Sequence, residues 1–213
     1  SFRMCFLMVR YRVIYQEIYK VGDCNMICIE DYIKDLSPSK EYKESLVKYS
    51  SQSIKELDLP DNLVQQLCSA SLPIKSDYCV FGENPITFYE LPQKKCYALI
   101  PDTYIEIAKM EWVGNIAISL TNGFVWQIFP DYYRRSFMNS SIAQYTESLG
   151  AWLRFYPQFQ DYVADMYDMN PQFSLFDNPE VYSPIKQKLK EIDAKAMESD
   201  DNYWVRCCEP DII

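Results

Sequence analysis

Residues 114–149, GNIAISLTNGFVWQIFPDYYRRSFMNSSIAQYTESL, decide the fold. The stretch changes period once. Up to Met138 its apolar residues fall in short alternating runs, GNIAISL and GFVWQIF, which predict strands with one buried face. Asn122-Gly123 between them suits a two-residue hairpin turn with positive backbone angles. Phe137 and Met138 close a further strand, and Asn139 turns the corner. From Ser141 the period becomes helical: Ile142, Tyr145, Leu149, Trp152, Leu153 and Tyr156 share one face. Ser141 is the expected N-cap, and Gln144 three positions on completes a capping box.

Asn139-Ser140-Ser141 admits two other readings. It fits the N-glycosylation acceptor pattern, but no secretion signal is recognised. The serines are potential nucleophiles, but no G-x-S-x-G surrounds them and the chain has no histidine to serve as their base. A joint between sheet and helix accounts for the stretch with ordinary physics.

Upstream, DYCVF, PITFYEL, KCYALIP and TYIEIAK add further strands, punctuated by turn residues such as Gly-Glu-Asn-Pro and Pro-Asp. Before them, LPDNLVQQLCSASLP predicts a helix capped by Asp61, with Leu63, Val64, Leu67 and Cys68 on one face. Ser37 and Pro38 predict an earlier helix start. Downstream, Pro157 restarts a helix with Phe159, Val163, Met166 and Tyr167 inward. Ser183-Pro184 opens another, and NYWVRCC ends the chain as a short strand or helix. Helices, then strands, then helices predict an α+β class: a single antiparallel sheet of about six strands with helices packed at one side. Residues 1–50 read as an N-terminal extension and 51–213 as the domain.

Composition narrows the function. The chain has 213 residues, 48% apolar and 24% charged, enough for a buried core. A formal charge of -9 argues against gripping a phosphate backbone and suits a basic protein partner. Absent histidine removes Ser-His and Cys-His pairs and imidazole metal ligands together. Cysteines at 5, 24, 28, 68, 79, 96, 207 and 208 lack zinc-ligand spacing, so they are expected to be reduced core residues, with no metal and no cofactor. Arg10 and Arg12 interrupt the apolar N-terminus, and no window reaches membrane length. The expectation is a cytoplasmic protein without a membrane partner. The sequence leaves its oligomeric state open.

The run G-N-I-A-I-S-L-T-N-G-F-V-W followed by F-M-N-S-S-I-A-Q-Y-T-E-S-L resembles the SUKH superfamily, in particular its fourth subgroup, typified by YrhA-like proteins. Gly123, Asn139, Ser140, Ser141, Ile142, Tyr145 and Leu149 stand at matching positions. Leu59-Pro60 resembles the family's early motif, and Trp204 its late tryptophan. The chain departs from the pattern at Ser71, where glycine is usual, and at Thr121-Asn122, where an aspartate is common. The resemblance spans residues 50 to 208. It implies a bacterial, non-enzymatic immunity protein that binds and neutralises a cognate polymorphic or contact-delivered toxin, often a nuclease or deaminase. The superfamily also holds regulators of the Smi/Knr type, so an intracellular interaction scaffold is the alternative.

The residues offer candidate contacts. From Pro157 onward there are 12 acidic against 5 basic residues, so most of the excess charge lies late. Asp161, Asp165 and Asp168 fall at i, i+4 and i+7, a carboxylate stripe suited to a basic toxin, or else a solvated helix face. Trp112, Trp126, Tyr132 and Tyr133 are candidate interface anchors, with core or edge packing as the competing reading. For an enzyme, Glu90, Asp102, Glu106 and Glu111 are the available carboxylates, but no spacing singles out a pair.

Overall fold

The computed structural model describes residues 27–44, 46–70, 72–73, 75–76, 86–110 and 113–209. Five long strands pair antiparallel in chain order: β4 (Ile86–Cys96), β5 (Thr103–Met110), β6 (Gly114–Ser119), β7 (Val125–Phe129) and β8 (Arg134–Asn139). A two-residue strand, β3 (Lys75–Ser76), extends this sheet at the edge of β4, giving the expected six. A separate small ladder joins β1 (Leu46–Val47) to β2 (Leu72–Pro73). The expected DYCVF strand lies outside the described residues.

PITFYEL and the start of KCYALIP form one strand rather than two. β4 runs through Pro92 because the register shifts between Phe88 and Gln93, so the missing N–H breaks no ladder bond. The rest of KCYALIP leaves the sheet and becomes the β4–β5 connection. The β6–β7 turn is also longer than two residues. Leu120 to Gly123 form the loop, closed by the Ser119 N–H donating to Phe124 O at 2.9 Å. Only Gly123 has positive φ, at 75°; Asn122 instead uses its side-chain oxygen to accept from Phe124 N at 3.0 Å.

The long helix α4 (Ile142–Met169) starts as expected: Ser141 Oγ accepts from Gln144 N at 3.2 Å and donates to Gln144 Oε1 at 2.9 Å. It does not restart at Pro157 but passes through it. Proline removes the bond to the Leu153 carbonyl, yet Phe155 and Phe159 on either side are both buried, and packing holds the axis. Gln158 also donates to Arg154 O at 2.8 Å and to Asp35 O at 3.3 Å. Tyr162 takes the inward place expected for Tyr167, which is exposed.

α1 (Ile29–Tyr32) and α2 (Lys40–Glu44) precede the sheet. Ser39, not Ser37, caps α2, accepting from Tyr42 N at 3.1 Å. Pro38 instead lies over Gly150 of α4, where a Cβ would meet its ring at 2.6 Å. In α3 (Asp61–Ser69) the N-cap is Pro60, so Asp61 is already helical and caps nothing. α5 (Ser183–Ile192) follows a 3-10 turn, and the terminal NYWVRCC forms the short helix α6 (Tyr203–Cys207).

Strand alternation gives the sheet two unlike faces. The inner face sends Ile105, Ile107, Ile116, Ile118 and Val125 into one core with Tyr145, Leu149, Trp152 and Trp204 from the helices. The outer face carries Tyr104, Glu106, Ala117, Trp126 and Ile128, whose register partners place them side by side across β5, β6 and β7. A second, small apolar cluster forms there from Ile100, Tyr104, Ala117 and Ile128. Among the described cysteines, Cys207 and Cys208 are buried, whereas Cys28 and Cys96 are exposed, contrary to the core placement expected of them. All five that are described are free. No helix among the described residues is long and apolar enough to cross a membrane.

Candidate functional site

The corner after β8 gathers the motif residues into one buried knot. Asn139 is fully buried; its Oδ1 accepts from Trp204 Nε1 at 2.8 Å, and its Nδ2 donates to Ser148 Oγ at 3.1 Å. The Asp193 carboxylate takes the Ser140 N–H at 2.6 Å, the Ser140 hydroxyl at 3.2 Å and the Asn139 amide at 3.4 Å. Gln144 Nε2 reaches Ile192 O at 3.1 Å. Three distant segments, around 139, 193 and 204, therefore close on one another, and the side chains of Asn139, Ser140, Asp193 and Trp204 all have hydrogen-bond partners. This is a structural site. Its hub, Asp193, escapes sequence reading because it merely follows α5 and no spacing links it to Asn139.

The outer sheet face has a different chemistry. Glu106 is 5% exposed and accepts from Tyr89 OH at 2.8 Å, Asn115 Nδ2 at 3.0 Å and Tyr97 OH. Burial, and then the adjacent carboxylate, push both tyrosine hydroxyls well above their ordinary range, so they remain donors. Tyr49 OH donates to Tyr89 O at 2.8 Å, and burial pushes that hydroxyl up to about 12. Beside this cage, the Arg135 guanidinium stacks on Trp126, 4.0 Å from the ring centroid, and donates to Tyr104 OH.

The β4–β5 connection, residues 97–102, lies across this face as a strap. Tyr97 is tied to Glu106. Ile100 fills the small outer cluster. Pro101 O accepts from Tyr104 OH at 2.7 Å and from Arg135 at 3.5 Å. Asp102 accepts from Thr103 N and Thr121 Oγ1, both at 2.7 Å, and from Ser119 Oγ. Burial acts to raise the Asp102 carboxyl, but these hydrogen bonds outweigh it and hold the group below the ordinary carboxylate range.

The expected contact residues are split between layers. Asp161, Asp165 and Asp168 are all exposed on α4, and Asp165 Oδ2 accepts from Tyr32 OH at 3.1 Å. Tyr132 and Tyr133 are 75% and 58% exposed in the turn between β7 and β8. Trp126 is half-buried beneath Arg135, so it offers no free ring face there. Trp112 lies outside the described residues, as does Glu111. Of the other carboxylates, Asp102 and Glu106 are both enclosed in their own hydrogen-bond networks, and Glu90 is exposed. Leu59 packs against the core, Pro60 opens α3, and Gly123 supplies the turn.

A family model, that of the SUKH-4 immunity protein, matches residues 79–210, well over half of the chain. The matched span contains Gly123, Asn139, Ser140, Ser141 and Trp204, together with the hub Asp193 and the whole outer face from β4 to β8. No curated protein and no solved structure matches the chain.

Proposed function

Because the chain belongs to the SUKH-4 immunity protein family, we propose that it binds a cognate bacterial polymorphic or contact-delivered toxin in the cytoplasm and neutralises it without chemistry of its own. The partner is a basic toxin, a nuclease or a deaminase. The observation that carries the charge argument is the exposed stripe Asp161, Asp165 and Asp168 on α4 of a chain with formal charge -9. Such a field accelerates encounter with a positively charged cleft. Tyr132 and Tyr133 supply exposed aromatic area for contact, with Trp126 and Trp112 as further candidates.

Occlusion is favoured over catalysis because the enclosed carboxylates Asp102, Glu106 and Asp193 each already accept from two or more neighbouring donors. Nucleic acid is not the partner, since the net field repels phosphate. The test is co-expression with each toxin domain encoded beside this chain's gene. Survival and a co-purifying complex are expected with one of them. Death of the host in every pairing, with no complex, contradicts the reading.

A further inference from the structure

We infer that residues 1–26, which lie outside the described residues, dock back on the C-terminal end of α4, with Arg10 and Arg12 against the row Asp161, Asp165 and Asp168.

The described chain starts at the place of docking. Ile27 O accepts from Tyr162 OH at 3.3 Å. Ile29 is buried, and Tyr32 meets the Tyr162 ring edge-on, with 5.7 Å between centroids. The Tyr32 hydroxyl donates to Asp165. Residues 1–26 therefore join the fold beside the acidic row. That row takes up about 10 Å of helix at about 1.5 Å per residue. The fifteen steps from Arg12 to Ile27 can cover about 50 Å when extended, so reach does not limit the contact.

This end of the molecule leaves apolar surface uncovered. Eight large hydrophobic side chains are exposed among the described residues, and four of them lie here: Ile27, Tyr167, Met169 and Phe176. Phe173 packs edge-on against both Tyr162 and Tyr167, which draws the loop after α4 onto the same end. Scattered singly, such side chains signify nothing; gathered at one helix end, they mark a contact surface.

Charge selects the occupant. Residues 27–33 and 155–182 carry seven carboxylates and no lysine or arginine. The last turn of α4 holds no basic residue, so the negative end of its dipole adds to the same field. Cations of the neighbouring stretches sit further back along α4: Lys34 N–H donates to Gln158, and Arg154 and Lys188 face Asp35. Residues 1–26 have the opposite sign, with Arg3, Arg10, Arg12 and Lys20 against Glu17 and Asp23. They are also rich in apolar side chains, as in FRMCFLMVRYRVIY. The spacing matches too. Two residues of extended chain span about 6.6 Å, and four residues of helix about 6 Å, so Arg10 and Arg12 can meet Asp161 and Asp165 together. A basic partner drawn to this row must displace the segment first.

The test is trypsin cleavage after Arg10 and Arg12 in the folded full chain, timed against the same bonds in a free peptide of residues 1–26. Docking is expected to slow both cleavages about tenfold, because the protease attacks only the undocked fraction. Joint substitution Asp161→Asn, Asp165→Asn and Asp168→Asn is expected to return most of the lost rate with the melting temperature unchanged, since all three side chains are exposed. Equal rates in chain and peptide overturn the docking and leave this end of α4 to an external partner. Protection that persists in the triple variant overturns it too, since the segment is then held elsewhere. Protection that grows with chain concentration places the segment on a second copy and also overturns it. None of these measurements involves a toxin, so the docking and the immunity reading stand or fall separately.

Discussion

The two faces of one sheet solve burial in different ways. Across β5 and β6 the inner face is aliphatic, and Ile105, Ile107, Ile116 and Ile118 need only fill space against the helices. Gln127, Ser136 and Asn139 of β7 and β8 instead hydrogen-bond to the segments behind. The outer face buries a carboxylate, two tyrosine hydroxyls and an arginine-covered tryptophan, so almost every group there needs one particular neighbour. The aliphatic part of the inner face can be repacked at modest cost, whereas the cage around Glu106 on the outer face has its geometry set by hydrogen bonds. The knot at Asn139 holds that sheet against the helices behind it.

The largest expected effect lies at the knot. Asp193→Ala leaves the Ser140 N–H, the Ser140 hydroxyl and the Asn139 amide short of their buried acceptor. A loss of about 3 kcal/mol or more is expected in denaturant unfolding. Gly114→Ala belongs in the same class. Gly114 has φ 113°, and a Cβ there runs into the Ile128 carbonyl oxygen, so the β5–β6 turn must shift. If either variant unfolds like the wild type, the sheet is not anchored as described.

Next comes Trp204→Phe, which keeps an aromatic side chain but removes the donor to Asn139 Oδ1 and one ring of the buried indole. It is expected to cost about 1–3 kcal/mol in the same measurement. An inner-face change such as Ile116→Val should cost less, about 1 kcal/mol, because only packing is lost. Equal costs would mean that the Trp204–Asn139 bond adds nothing to the fold.

The strap gives a pH signature. Asp102 has a folded pKa below its ordinary value, so its contribution to stability is present above about pH 4 and is lost as the pH falls through the folded pKa. Thermal melts of Asp102→Asn and the wild type should therefore differ near neutrality and converge in strong acid. A gap independent of pH assigns the strap's attachment to something other than this carboxylate.

The smallest effect on the fold is expected on α4. Reversing Asp161, Asp165 and Asp168 to lysine should leave the melting temperature nearly unchanged, since all three are exposed. Association with the toxin should slow about tenfold at low salt, and the difference should fade as salt is raised. An unchanged association rate returns the stripe to an ordinary solvated face.

Much of the fold was legible because hydrophobic period is a local property. The alternating runs of β5 to β7, the cap at Ser141 and the apolar face of α4 all follow from neighbours in sequence. The two proline misreadings share one cause, tertiary contacts overriding local rules. Pro157 fails to break α4 because Phe155 and Phe159 are buried around it, and Pro92 fails to break β4 because it sits at a register shift. The outer face was hardest to foresee. Glu106, Tyr97 and Asn115 meet only once three strands are in register, and Leu99 reads as the middle of an apolar run until its backbone is seen. The acidic stripe needed no tertiary information, since i, i+4, i+7 spacing fixes a helix face by itself.

The central claim is that this chain silences a toxin by binding it. The most direct measurement titrates the purified chain into the toxin domain encoded beside its gene while following that toxin's catalytic rate. The account predicts a linear fall to no activity at one equivalent, together with a stable complex. Full toxin activity in the presence of excess chain would contradict it.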